Sequence, residues 1–131
     1  MKALLPPGWP RPKGYSNGIA ARGRVIFTAG VVGWDEQEHF VAEDMAGQFR
    51  QVLLNTVAIL KEGGAGPEHV VRMTWYVTSR DEYTRDIKKI GATYRELMGT
   101  CFPAMAVVQV AGLVDPAARI EIETTAVVPD E

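Results

Sequence analysis

The sequence has one cysteine, two histidines and no long uninterrupted run of apolar residues. The one cysteine, Cys101, excludes an internal disulfide and favours a reducing compartment. No apolar run approaches the roughly 20 residues that a membrane-spanning helix requires. The short apolar stretch near the N-terminus stops at Pro6 and Pro7, so it does not resemble the apolar part of a signal peptide. We therefore expect a cytoplasmic protein that does not enter a membrane.

The sequence also lacks an excess of positive charge. Fourteen Lys and Arg residues are set against sixteen Asp and Glu residues, which leaves a formal net charge of -2. Proteins that bind nucleic acid through its phosphates usually carry a basic excess, so we expect no nucleic acid as the main partner. His39 and His69 have no companions at a metal-ligand spacing, and we expect no metal site.

The length of 131 residues fits one domain that spans residues 1–131. Residues 1–14 are predicted to form an extended arm, because proline fixes φ and removes a backbone donor. The prolines of this arm are Pro6, Pro7, Pro10 and Pro12.

The remaining sequence predicts seven elements in the order β-β-α-β-α-β-β. Residues 19–21 and 24–30 are predicted to pair as a β-hairpin around Gly23. A helix over residues 44–62 begins at Asp44 and ends at the Gly63–Gly64 pair. A second helix begins at Ser79, where Glu82 completes a predicted capping box, and ends at Gly99. The remaining strands are predicted over residues 70–78, 104–113 and 119–128.

This order predicts an α/β fold with two helices packed on one face of a single sheet. The opposite face is expected to carry apolar side chains such as Trp75, Val71, Met105 and Val107. A chain of this length has no third layer to cover them, so we expect a homo-oligomer that buries this face.

Glu121 and Glu123 are the strongest candidates for chemistry on residue type and spacing alone. They lie two apart on a predicted strand, so both project from one face, roughly 7 Å apart. A carboxylate in a cleft can act as a general base or hold a water molecule. The alternatives are a polar sheet edge, or a glutamate paired with Arg119, with Arg72 or with another subunit. Cys101 has no catalytic motif around it and is interpreted as a structural thiol.

Several segments together resemble the Rid (reactive intermediate deaminase) family, which is also labelled endoribonuclease L-PSP. The matching segments are residues 27–30, 102–104, 110–113 and 120–123, together with Gln48, Leu53 and Asn55 of the first predicted helix. The similarity runs from about Tyr15 to Val128. The resemblance implies a chorismate-mutase-like α/β fold, with one mixed sheet and two helices on one face. It also implies a homotrimer whose sheets form a central barrel, with three ligand clefts between neighbouring subunits. Well-studied members hydrolyse 2-imino or 2-enamino acids to 2-oxo acids and ammonia without a cofactor.

The resemblance assigns candidate roles to individual residues. Tyr15 matches the cleft tyrosine of the family, and Gly30 and Val31 fall where backbone groups meet the ligand. Glu121 matches the glutamate that holds the attacking water, which makes it the candidate catalytic residue. The segment from Phe102 to Met105 is expected to contribute three further substrate-binding residues, which are Phe102, Pro103 and Met105.

Three positions depart from the family pattern. Ala29 replaces a serine, Gly91 replaces an asparagine, and Met105 replaces the arginine that deaminating members carry. An arginine binds a carboxylate through two charge-assisted hydrogen bonds, and methionine supplies neither a donor nor a charge. At roughly 1.5–3 kcal/mol for each such bond, the loss costs on the order of a hundredfold or more in binding. No neighbouring residue in the sequence clearly supplies a replacement cation.

Two functions therefore follow from the sequence. The first is a hydrolase or deaminase variant acting on an imine, an enamine or a related compound that is less anionic than a standard 2-imino acid. The second is a non-catalytic trimer that binds a small ligand or has a regulatory role. A ribonuclease activity follows only from the family label, and the acidic charge balance counts against it.

Overall fold

The computed structural model describes residues 1–130 and has one mixed β-sheet at its centre. The strands are β1 (Lys2–Ala3), β2 (Ile19–Ala20), β3 (Arg24–Phe27), β4 (Val31–Val32), β5 (Val70–Val77), β6 (Ala104–Gln109) and β7 (Ile120–Val128). The main sheet has the order β3-β7-β5-β6, and β4 also pairs with β7. Strands β5 and β6 are parallel, whereas every other pair is antiparallel. The helices lie on one face of this sheet, so the predicted fold class is confirmed.

The first helix, α1 (Met45–Glu62), follows its sequence signals closely. The Asp44 side chain accepts a hydrogen bond from the Gly47 N–H, and Gly64 adopts a φ of 77° just beyond the helix. One stripe of α1 is buried against the sheet: Met45, Gln48, Phe49, Val52, Leu53, Thr56 and Leu60. Within residues 1–130, no helix has both the length and the apolar character needed to cross a bilayer.

The second predicted helix is interrupted at Asp86, which separates α2 (Arg80–Arg85) from α3 (Ile87–Met98). Ser79 caps α2 as predicted, because its hydroxyl accepts a hydrogen bond from the Glu82 N–H at 3.0 Å. The predicted capping box is only half formed. The Glu82 carboxylate instead accepts from the Met45 N–H at 3.0 Å and from the Arg119 guanidinium at 3.0 Å. Glu82 therefore joins the start of α1 to the start of β7.

The predicted hairpin between residues 19–21 and 24–30 is wrong. Strand β2 pairs with β1, so part of the predicted extended arm forms a short strand of its own. Strand β3 pairs instead with β7 over its full length, from Arg24 opposite Val128 to Phe27 opposite Thr125. The nine-residue strand β7 provides pairing partners for all four residues of β3, whereas the two-residue strand β2 is too short to do so.

The assignment of sheet faces also differs from the prediction. Trp75 is only 4% exposed and lies under the helices, with its ring centroid 4.8 Å from that of Phe49. Met105 pairs with Met73, and Val107 with Trp75, in the β5–β6 ladder. Side chains at paired positions share a face, so Met105 and Val107 also lie on the helix-covered face.

The register of β5 shifts between Val70 and Arg72. As a result Val70 is fully buried in the core, and Val71 is only half-buried. The predicted apolar pattern for the opposite face, which is called the open face below, therefore does not hold. Alternate residues of β3, β5, β6 and β7 supply that face, including Val25, Phe27, Tyr76, Val108, Glu121 and Glu123.

Candidate functional site

A cavity of about 520 Å³ lies between α3 and the β6 edge of the sheet, on the helix-covered face. This cavity is called the aromatic pocket below. Its side chains are Lys13, Tyr15, Trp75, Tyr83, Ile87, Ile90, Tyr94, Arg95, Phe102, Met105 and Val107, together with Gly14 and Gly91. The structure thus brings three of the predicted binding residues, Tyr15, Phe102 and Met105, to one cavity.

Backbone hydrogen bonds explain how residues distant in sequence reach this pocket. The Ser16 N–H donates to the Pro103 carbonyl at 3.0 Å, and the Ser16 hydroxyl donates to the Phe102 carbonyl at 2.6 Å. These bonds hold the neighbouring Tyr15 beside the start of β6. Pro103 itself is buried and does not line the cavity. Its carbonyl is one of the two acceptors that join Ser16 to the start of β6.

Tyr94 fixes the opposite wall of the pocket. Its hydroxyl donates to the Cys101 carbonyl at 2.6 Å, and its ring stacks on Phe102 with centroids 5.9 Å apart. Burial raises the pKa of Tyr94, and burial also raises the pKa of Tyr83. Both phenols are therefore neutral near pH 7 and serve as wall and donor groups rather than as bases.

Cys101 is not an activated nucleophile. Burial, and then the charge of Glu68, raise the pKa of the Cys101 thiol, which disfavours the reactive thiolate. Its sulfur lies 3.9 Å from the Val70 carbonyl oxygen, within the range of a weak hydrogen bond. Within residues 1–130, no three His, Cys, Asp or Glu side chains cluster in a metal-binding arrangement.

The other three predicted site residues form a separate group, which is called the carboxylate half-site below. It consists of Gly30, Val31 and Glu121. Strand β4 pairs with β7 so that Val32 lies opposite Glu121, and the preceding turn carries Gly30 against the Glu121 side chain. A Cβ atom at position 30 would overlap the Glu121 carboxylate, so a larger residue there would have to displace the end of that side chain. Val31 is buried, with only 7% of the residue exposed.

Asn55 on α1 holds this half-site in place. Its amide nitrogen donates to the Val32 carbonyl at 3.2 Å and to the Trp34 carbonyl at 2.7 Å. Gln51 in turn donates to the Asn55 side-chain oxygen at 2.8 Å. The two-residue strand β4 is therefore positioned by a helix as well as by its pairing with β7.

The Glu121 carboxylate accepts no hydrogen bond and forms no ion pair with residues 1–130. The alternative that Arg119 pairs with Glu121 is wrong, because Arg119 donates to Glu82 and to the Glu43 carbonyl. Arg72 likewise forms no ion pair with Glu121 among these residues. Glu123 differs, since it accepts a hydrogen bond from the Tyr76 hydroxyl at 2.7 Å. Of these two glutamates, only Glu121 keeps both oxygens available to a water molecule or a ligand.

The two groups lie on opposite faces of the sheet. Met105 is on the helix-covered face of β6, whereas Glu121 is on the open face of β7. Strand β6 is also not a neighbour of β7, which carries Glu121, because β5 separates them. One copy of the chain therefore does not bring its own Glu121 to its own aromatic pocket.

Sequence reasoning missed the two cations of the aromatic pocket, Lys13 and Arg95. Arg95 lies one helical turn after Gly91, and this spacing places both on the same side of α3. Arg95 also directly follows Tyr94, whose buried ring forms a wall of the pocket. A cation beside a buried aromatic residue was the available indication that the pocket holds a positive charge.

Comparison with known proteins gives a consistent result. The model of the family described as Endoribonuclease L-PSP matches residues 10–128. A RutC family protein from Synechocystis sp. is 33% identical over 98% of this chain and 98% of its own. A protein of Salmonella typhimurium named 2-iminobutanoate/2-iminopropanoate deaminase is 32% identical over 80% of each chain.

Solved structures agree with the sequence comparisons. The crystal structure of a Yersinia pestis protein of unknown function, from the conserved Rid protein family, superposes with a TM-score of 0.82 and 31% identity. That match covers 97% of this chain and 98% of the other. The family match, the relatives and the shared fold together show that the chain belongs to the Rid family, whose sequence model is described as Endoribonuclease L-PSP.

Proposed function

We propose that the protein is a cytoplasmic Rid-family hydrolase that releases ammonia from a small imine or enamine, in a cleft formed by two copies of the chain. The observation that carries the proposal is the unpartnered Glu121 carboxylate held against Gly30. Relatives named 2-iminobutanoate/2-iminopropanoate deaminase support the same reaction type. The proposal requires no cofactor, metal or nucleic acid.

The chemistry needs a water molecule and a base. The Glu121 carboxylate accepts a proton from water as the water oxygen adds to the carbon of the C=N bond. The resulting carbinolamine carries a hydroxyl and an amine on one carbon. It is complete once the Glu121 carboxylic acid has passed the water proton to the nitrogen. The carboxylate then transfers the hydroxyl proton to the amine as the C=O bond forms and the C–N bond breaks, which gives a carbonyl compound and ammonia. An enamine enters the same route after its carbon is protonated to give the imine.

A second copy of the chain would bring a carboxylate half-site next to the aromatic pocket of the first. The aromatic pocket of one copy and the carboxylate half-site of its neighbour would face each other across the subunit boundary. The open face supports association, because Phe27 is 73% exposed, Val25 48% and Val108 41%. Apolar side chains exposed together on one sheet face are typical of a subunit contact. We propose a homotrimer that buries this face.

Met105 restricts the substrate. Its side chain lies among the walls of the aromatic pocket and offers no positive charge. A short 2-imino acid has its carboxylate directly beside the reacting carbon, where an arginine would be needed to hold it. We therefore propose that standard short 2-imino acids are poor substrates.

The second candidate function is a trimer that binds a small ligand without turnover. The specific observation in its favour is the same methionine, together with the apolar walls that surround it. Such a pocket can hold a ligand by apolar burial alone. In that case Glu121 would contribute to the subunit boundary rather than to a reaction.

Glu121→Gln separates these two functions, because it preserves the shape of the side chain and removes the base. Imines generated in solution from a panel of amino acids and amines would be followed by ammonia release. We expect the Glu121→Gln turnover to fall at least about a hundredfold, within the range of general-base contributions. Glu123→Gln is the matched control, since it lies on the same face two residues away and should retain turnover. Equal turnover in wild type and Glu121→Gln, for a substrate that is hydrolysed, would remove Glu121 from the reaction.

A further inference from the structure

We propose that Arg95 binds the carboxylate of a ligand whose large apolar group fills the aromatic pocket. This inference rests on the proposed function in that it concerns the same cleft. It names the class of ligand, a monocarboxylic acid with an aromatic or bulky apolar group. It also assigns specificity to a residue outside the segments that carry the family resemblance.

The charge of the pocket is the first observation. Its lining includes the cationic residues Lys13 and Arg95 and no aspartate or glutamate. The Arg95 guanidinium makes no hydrogen bond or ion pair within residues 1–130. Arg50, Arg85 and Arg119, in contrast, each pair with a carboxylate of the chain. A guanidinium left unpaired beside a cavity is well suited to an anion from solution, and its planar donors fit a carboxylate.

The position of Gly91 is the second observation. A Cβ atom placed on Gly91 would lie 3.4 Å from the Arg95 Nη1 atom. That distance is an ordinary contact for a single carbon, but a longer side chain at position 91 would compete with the guanidinium for its space. Gly91 also lines the pocket. The absence of a side chain there leaves room for the Arg95 guanidinium on the pocket side of α3.

The apolar walls are the third observation. The rings of Tyr94 and Phe102 stack, and the Trp75 ring lies 6.1 Å from that of Tyr94 and 6.4 Å from that of Tyr83. A volume of about 520 Å³ is far larger than a two- or three-carbon acid needs. Filling this space with an apolar group removes apolar surface of both the ligand and the pocket from water, which favours binding. The pocket therefore favours a bulky acid over a short one.

Three unreactive probes test this inference: 3-phenylpropanoate, its uncharged amide 3-phenylpropanamide, and propanoate. None has a C=N bond, so their binding does not depend on turnover. Titration calorimetry would give each dissociation constant for wild type. We expect 3-phenylpropanoate to bind at least about tenfold more tightly than either of the other two probes.

The variants assign the preference to a residue. Arg95→Gln should bind the acid and the amide equally, whereas Arg95→Lys should keep part of the preference for the acid. Arg80→Gln is the matched control, because Arg80 is an exposed arginine on α2 that does not line the pocket. It should bind all probes as wild type does. Circular dichroism and sedimentation would verify that each variant keeps its fold and assembly.

Several results would overturn the inference. These are no detectable binding of 3-phenylpropanoate at millimolar concentration, equal binding of acid and amide by wild type, and an unchanged preference in Arg95→Gln. Loss of the preference in Lys13→Gln alone would also overturn it, by assigning the anion to the other cation. If no imine is hydrolysed but the preference depends on Arg95, the proposed reaction fails and this inference stands. If an imine is hydrolysed but the preference for the acid does not depend on Arg95, this inference is overturned and the proposed reaction stands.

Discussion

Replacing Glu82 by alanine should destabilise the fold more than its position on a short surface helix suggests. Only 11% of the Glu82 side chain is exposed. One carboxylate oxygen accepts a hydrogen bond from the Met45 N–H, at the first turn of α1, and the other accepts from Arg119. A carboxylate at that place also interacts favourably with the N-terminal end of the helix dipole. Glu82→Ala removes all three interactions together.

The two bonds contribute unequally. Met45 is fully buried, so its N–H would lose its acceptor with no water to replace it, and such a group costs about 1–3 kcal/mol. The Arg119 side chain is 48% exposed, so its ion pair contributes only about 0–1 kcal/mol. We expect Glu82→Ala to lower the free energy of unfolding by about 1–4 kcal/mol in total. Arg119→Met should cost about 1 kcal/mol or less, because Glu82 keeps its bond to α1.

Urea denaturation followed by circular dichroism measures both variants and their combination. All proteins should be compared at one concentration, because assembly links stability to concentration. The double mutant should show a coupling energy of about 1 kcal/mol or less between the two side chains. Equal losses for Glu82→Ala and Arg119→Met, or a loss below about 0.5 kcal/mol for Glu82→Ala, would refute the view that the buried N–H dominates.

Three further predictions concern assembly, substrate choice and pH. Phe27→Glu should dissociate the proposed trimer into a species near the 14.4 kDa chain mass in sedimentation. Val114→Glu, at a fully exposed loop position, should leave assembly unchanged. If the Phe27→Glu variant still sediments as a trimer, the open face is not the surface that assembly buries. Wild type should hydrolyse short 2-imino acids at least about a hundredfold more slowly than relatives with the arginine. Met105→Arg should raise that rate, measured as ammonia release, and an unchanged rate would contradict the role of Met105. Hydrogen bonds from the His39 and Gln37 N–H groups lower the pKa of Asp35. The turn over residues 35–39 should therefore stay formed above the ordinary aspartate pKa, and it should open only as the pH falls through the lowered pKa. The amide NMR shifts of Gln37 and His39 measure this opening, which Asp35→Asn should make independent of pH, and opening at pH 5–6 would contradict the assignment.

Local sequence signals predicted those parts of the fold that depend on neighbours along the chain. The helix α1 has an N-cap, an apolar stripe and a terminating glycine pair within one short stretch, and each acts where predicted. The hairpin failed because strand pairing is not local. The choice of β3 between β2 and β7 depends on a strand about a hundred residues away, which no pattern near Gly23 reveals.

The faces of the strands show a second limit. Alternation indicates which residues of a strand share a side, as Met73, Trp75 and Val77 of β5 do, but it does not say which side the helices cover. That depends on how α1 and α3 pack, and Trp75 is placed by its contacts with Phe49 and Tyr94. The expected apolar open face therefore had the wrong members.

The candidate site shows the same division between residue type and residue placement. The family resemblance selected Tyr15 and Glu121, but their separation into two groups follows from the strand order β7-β5-β6. Arg95 escaped notice because its place next to Tyr94 in the sequence does not show what surrounds its guanidinium. Its environment becomes visible only when Gly91 and the β6 wall are placed around it.

The placement of Glu121 and the aromatic pocket on opposite faces has a consequence for mixtures of damaged chains. In the proposed trimer, each cleft takes its pocket from one chain and its carboxylate from the next. One chain carrying Glu121→Gln and another carrying a blocked pocket would both be inactive as pure proteins. A ring that contains both kinds of chain has one cleft in which an intact pocket meets an intact carboxylate. Two inactive proteins, unfolded and refolded together, would then recover part of the lost activity.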